Sequence, residues 1–100
     1  MDNLQFEISK TVQEIIPKMG YELMNQLINT DENELYIFHF GFGMWLRNNI
    51  LNEGSDIYRL FVKDSVIHKD DMSSMLIWEL YKKVMGNRTI GADIADQIWK

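Results

Sequence analysis

The sequence predicts an all-α fold: a compact single-domain bundle of about five helices around a central apolar helix at residues about 31–50. Three observations carry that expectation. Apolar residues recur at three- and four-residue spacing along most of the chain. Cap and stop signals punctuate those stripes at intervals suited to short helices. Alternating segments long enough to pair as a sheet are scarce. With 100 residues the chain makes one domain, residues 1–100, whose core is large enough to fold unaided.

From Leu4 to Ile16 the residues Leu4, Ile8, Val12 and Ile15/Ile16 form one helical stripe, with Glu7, Lys10 and Glu14 on the opposite side. Pro17 ends that helix or begins the next element. Tyr21 to Ile28 carries a second short stripe of Leu23, Met24, Leu27 and Ile28, which runs into the polar turn NTDEN. There Asp31 followed by Glu34 fits a capping box, and the cluster Asp31, Glu32, Glu34 suits the positive end of a helix dipole.

The segment that follows, YIFHFGFGMWLRNN at 36–49, is the densest in aromatic residues and the most ambiguous. Phe38, Phe40 and Phe42 alternate with His39, Gly41 and Gly43, a strand-like pattern, but only Tyr58–Val62 or Ser65–Ile67 offer a partner. A helix is favoured, and residues 35–46 would then be apolar nearly all round, as expected of a core element. Each glycine costs a helix roughly 1 kcal/mol relative to alanine, so something must offset it. His39, Gly43 and Arg47 stand at i, i+4, i+8, which leaves a notch at Gly43 between an imidazole and a guanidinium. Trp45, Trp78 and the phenylalanines are expected in the core, with Trp99 the exposed aromatic.

Downstream, Ser55 or Asp56 caps a short helix bearing Ile57, Leu60 and Phe61. Asp70 or Asp71 is the expected N-cap of the next, whose face holds Met72, Met75, Leu76, Leu80 and Val84. Trp78 and Tyr81 form its second apolar face, Lys82 and Lys83 sit at its negative end, and Gly86 is its stop. Thr89 would cap a last helix with Ile90, Ile94, Ala95 and Ile98 along one side.

The composition removes whole classes of function. There is no cysteine, so disulfides, thiolate metal sites and cysteine nucleophiles are excluded. The first residues lack a secretory pattern and no later run is long and apolar enough for a membrane span, so a cytoplasmic setting is expected. The net charge of −5 lies wholly in the first half: residues 1–53 hold eight acidic and three basic side chains, and the remainder seven of each. Such a surface repels a polyanion, which argues against direct nucleic-acid binding and for a basic protein partner.

The run HFGFGMWLRNN at 39–49, followed by IHKDDMSSMLI at 67–77, resembles the signature of a family of small bacterial proteins carrying a domain of unknown function. In that family the pattern is His-Phe-Gly-x-Gly-x-Trp-x-Arg-Asn-Asn, then His-Pro-Asp-Asp-Met-Ser, and the resemblance spans residues 38–84. Lys69 stands where the pattern has proline. The resemblance implies no activity. It does imply that His39, Gly41, Gly43, Trp45, Arg47, Asn48, Asn49, His68, Asp70, Asp71 and Ser73 form the shared feature, and the two segments are expected to meet in space.

Two histidines and paired aspartates suggest a metal or an acid–base set, but the spacing supplies no HExxH, EF-hand or Glu-x-x-His pair, and neither a metal nor a cofactor is expected. Ser73 and Ser74 lack the setting of a hydrolase elbow, so no catalytic residue is assigned. Arg47 must be paired or exposed, and the expectation is an ion pair with Asp70 or Asp71, supported by Asn48 and Asn49, that pins two helices together. The functional expectation is a small acidic protein-binding module, of the kind represented by immunity proteins or antitoxin-like inhibitors that neutralise a basic nuclease toxin. Its acidic surface would be Glu7, Glu14, Glu22, Asp31, Glu32, Glu34 and Glu53. The rivals are an enzyme or ligand-binding domain using His39, Arg47, Asp70 and Asp71, and a self-associating homodimer.

Overall fold

A computed structural model describes residues 3–99, with side chains described through residue 86. The fold is all-α. Its helices are α1 (Asn3–Ile15), α2 (Tyr21–Ile28), α3 (Phe42–Asn49), α4 (Asp56–Lys63) and α5 (Lys69–Trp99). Two 3₁₀ segments, Ile16–Lys18 and Glu32–Phe38, link α1 to α2 and α2 to α3. No strand occurs among the described residues, so the alternation of phenylalanines at 38–42 does not make a sheet edge.

The α1 stripe buries Leu4, Ile8, Thr11, Val12 and Ile15. Pro17 then sits in the first 3₁₀ turn, where its missing N–H leaves no helical bond unmade. In the short α2 only Leu27 is fully buried. Ser55 caps α4 by accepting from the Tyr58 N–H at 3.3 Å. At the far end of α4, Ser65 takes a left-handed backbone (φ 69°). Its N–H reaches the Val62 carbonyl and that of Val66 the Phe61 carbonyl, both at 2.9 Å, which closes α4 with a Schellman motif.

The expected central helix at about 31–50 is corrected to two pieces. Asp31 does act as a cap, accepting from the Asn33 N–H, but it caps a 3₁₀ segment. That segment ends at Phe38, and α3 starts only after the turn at His39–Gly41. Gly41, with φ −84° and ψ −83°, departs from helical geometry and separates them. The central element is instead α5, which packs against α1, α2, α3 and the second 3₁₀ segment. It buries Met72, Ser73, Leu76, Ile77 and Leu80, and Lys83 Nζ donates to Ser9 Oγ of α1 at 2.8 Å.

Three further expectations about α5 are corrected. The helix begins at Lys69, two or three residues earlier than an Asp70 or Asp71 cap allows, and the Met72 N–H bonds to the His68 carbonyl. Gly86 does not stop it, and the separate helix expected from Thr89 is the far part of α5. Lys82 is therefore interior to the helix, where it pairs with Glu79 at 3.1 Å. The side-chain positions of Ile90, Ile94, Ala95, Ile98 and Trp99 lie outside the described residues.

Candidate functional site

The two sequence motifs meet at Arg47. Its side chain, 15% exposed, runs back along α3 toward the N-terminus of that helix, as the Cα–Cβ direction favours. Nη1 donates to Ser73 Oγ at 3.1 Å and Nη2 to the His39 carbonyl at 3.1 Å, while Nε stands 3.5 Å from an Asp70 carboxylate oxygen. Ser73, fully buried, passes the chain of bonds on by donating to the Asp70 carbonyl at 2.9 Å. One guanidinium thus joins α3, the turn at His39 and the first turn of α5, and three directions of its planar fork are used.

Gly43 is the residue that lets this happen. A methyl group there would stand 3.1 Å from Arg47 Nη1 and 3.1 Å from the Phe38 carbonyl oxygen, with the Ile77 side chain 3.8 Å away. The notch expected between imidazole and guanidinium is filled by the guanidinium itself. The His39 contribution is its backbone carbonyl; its ring lies edge-on to Phe40 at 5.1 Å.

Other residues of the two segments lie apart from this strap. Asn48 and Asn49 are exposed, and Asn49 Nδ2 donates to the Trp45 carbonyl at 2.9 Å, so they do not support the arginine as expected. Asp71 and His68 are exposed beside the start of α5. Lys69 is the first residue of α5 and holds its ammonium 5.7 Å from the centre of the Tyr58 ring. Among the described residues, no three His, Asp or Glu side chains stand close enough to share a metal ion.

The aromatic run is only half core. Phe38 and Phe42 are buried, but Phe40 is 78% and Tyr36 74% exposed, and Ile37, Met44 and Trp45 join them at the surface. Trp78 of α5 is also exposed, against the core position expected of it and of Trp45. Two grooves flank the run. Glu32, Tyr36, His39 and Trp78 line one of about 310 Å³; Met19, Leu23, Phe42 and Trp45 line an apolar one of about 330 Å³, with Lys18 at its edge. The signal for this surface was an excess: residues 35–46 carry more apolar side chains than a single helix in a chain of this size can bury.

The expected acidic surface is dispersed. Glu14, Glu22, Asp31, Glu32, Glu34 and Glu53 are exposed and Glu7 is half-buried, but they occupy α1, α2, the second 3₁₀ segment and the α3–α4 loop. Only Asp31, Glu32 and Glu34 adjoin the aromatic run. No described helix is long and apolar enough to cross a membrane.

A family model for a domain of unknown function, DUF6794, matches residues 6–84. No curated protein and no solved structure matches the chain.

Proposed function

We propose, from the premise that the chain belongs to the DUF6794 family, that it is a protein-binding module for a basic partner. The observation that supports this reading is the exposed run Tyr36, Ile37, Phe40, Met44 and Trp45, which begins directly after the carboxylates Asp31, Glu32 and Glu34. Aromatic side chains left in water are anchors in search of a pocket, and neighbouring carboxylates steer a cationic surface toward them. Five large apolar side chains exposed within ten residues are more than isolated surface positions need.

The Arg47 strap has the part of a scaffold in this reading. It fixes the His39 turn against α5, so the aromatic run is presented on rigid backbone and little entropy is lost when a partner docks. A toxin-like basic protein neutralised by this chain, in the manner of an immunity protein or antitoxin, is the form of the proposal that unites small size with net negative charge. The enzyme reading is less favoured because Arg47, its strongest cationic group, is 15% exposed and already engaged by Ser73, the His39 carbonyl and Asp70.

The test is titration of the pure chain with the product of the neighbouring reading frame at low and high salt. The reading expects a stoichiometric complex that weakens with salt and is lost in Phe40→Asp, a variant that keeps the parent melting temperature. A neighbouring-frame product that does not bind, or a complex indifferent to both salt and Phe40→Asp, overturns it. A concentration series in ultracentrifugation separates out the rival in which a second copy covers the same face.

A further inference from the structure

We infer that the groove between the second 3₁₀ segment and α5, walled by Tyr36, His39 and Trp78 and edged by Glu32, receives a single cationic side chain, an arginine of the partner. The inference rests on the basic-partner reading and names the group that this part of the surface recognises. The groove holds about 310 Å³, room for one long side chain and not for a folded element. Tyr36, His39 and Trp78 line it together with Leu35, Ser74 and Ile77. Aromatic faces carry negative potential and attract guanidinium and ammonium groups, and the Glu32 carboxylate adds a formal charge at the rim.

The structure already contains this chemistry at the same ring. Lys82 Nζ stands 5.7 Å from the centre of the Trp78 ring, and its charge is met by Glu79 at 3.1 Å, so it does not leave the groove an uncompensated positive wall. Trp78 is further held by stacking on Tyr81, with ring centres 6.2 Å apart and planes 21° from parallel. Tyr36 is highly exposed, so its ring is accessible to an entering side chain. Guanidinium is the best match because it packs on aromatic side chains while its edge N–H groups donate to a carboxylate, and both residue types line the groove. The other groove has Lys18 and no carboxylate among its lining residues, so it lacks the acidic partner a guanidinium needs.

The probe is the capped tripeptide Ac-Gly-Arg-Gly-amide, compared with the same peptide bearing citrulline, which keeps the shape and hydrogen-bonding edge but lacks the charge. Saturable shifts of the Trp78 indole N–H and the His39 ring signals with the arginine peptide alone are the expected result. Glu32→Gln and Trp78→Leu should each weaken binding about two- to fivefold, the size of a partly exposed cation–π contact. Both variants should keep the parent melting temperature within the range usual for surface substitutions. Equal shifts with citrulline, shifts confined to Trp45, or no saturable response overturn the inference. If a basic protein partner binds but ignores Glu32→Gln and Trp78→Leu, the groove assignment fails while the partner reading stands. If the arginine peptide binds as stated but no basic protein does, the partner reading fails and the groove stands.

Discussion

The guanidinium of Arg47 lies directly over the bare Cα of Gly43, so that a β-carbon on the glycine would stand 3.1 Å from Nη1. Four residues apart on α3, the two form one device: the missing side chain makes the channel through which the arginine reaches the His39 turn and Ser73.

Alanine at position 43 therefore sets two effects against each other. Helix propensity favours it by up to about 1 kcal/mol. Against that, the added methyl presses on the Phe38 carbonyl, which is backbone, and on a guanidinium that three partners hold in place. Overpacking of this kind costs about 1–3 kcal/mol, so Gly43→Ala should lose about 1 kcal/mol net in urea unfolding. Gly41→Ala, where nothing lies within 4 Å and φ is negative, should be neutral or slightly stabilising.

Arg47→Ala should be the most damaging change among the residues of the strap, at about 2–3 kcal/mol. It leaves the buried Ser73 hydroxyl and the His39 carbonyl without their charged donor. Asp70→Asn should lose less than about 1 kcal/mol, because that carboxylate is 68% exposed and its ion pair is screened by water. The ratio of the two losses in denaturant titrations checks that hydrogen bonding, more than the ion pair, holds the strap.

Ser65→Gly should stabilise the protein by about 1 kcal/mol. The left-handed backbone at Ser65 is needed for the α4 closure, and an L side chain pays a steric penalty there that glycine avoids. A higher denaturation midpoint with an unchanged slope is the expected reading.

Because α5 passes through Gly86 without a positive φ, Gly86→Ala should stabilise that helix by up to about 1 kcal/mol and increase helical circular dichroism. Were Gly86 a helix terminator, the same substitution would destabilise.

Much of the fold was legible in the chain. The α1 stripe, the bounds of α2 and the Ser55 cap follow from spacing and cap chemistry, which are local and carry their geometry with them. The Arg47–Asp70 contact could be anticipated because an arginine in an apolar setting must find a partner. What could not be read was direction. Phe40 and Phe42 are alike in type and differ in burial because the His39–Gly41 turn lies between the 3₁₀ segment and α3, and that turn is held by the bond from Arg47 to the His39 carbonyl. Gly86 and the Asp70–Asp71 pair misled for a related reason: both are permitted at helix ends, but tertiary contacts decide where a helix ends. Apolar residues that break the inside-outside pattern mark the surface assigned to a partner.

The most direct test of the account compares Phe40→Ala with Phe42→Ala in equilibrium urea unfolding. Phe42 is buried, and its truncation should lose about 3–5 kcal/mol. Phe40, on the presented surface, should lose no more than about 0.5 kcal/mol. Equal, large losses at both positions would place the whole aromatic run in the interior and contradict the binding surface built on it.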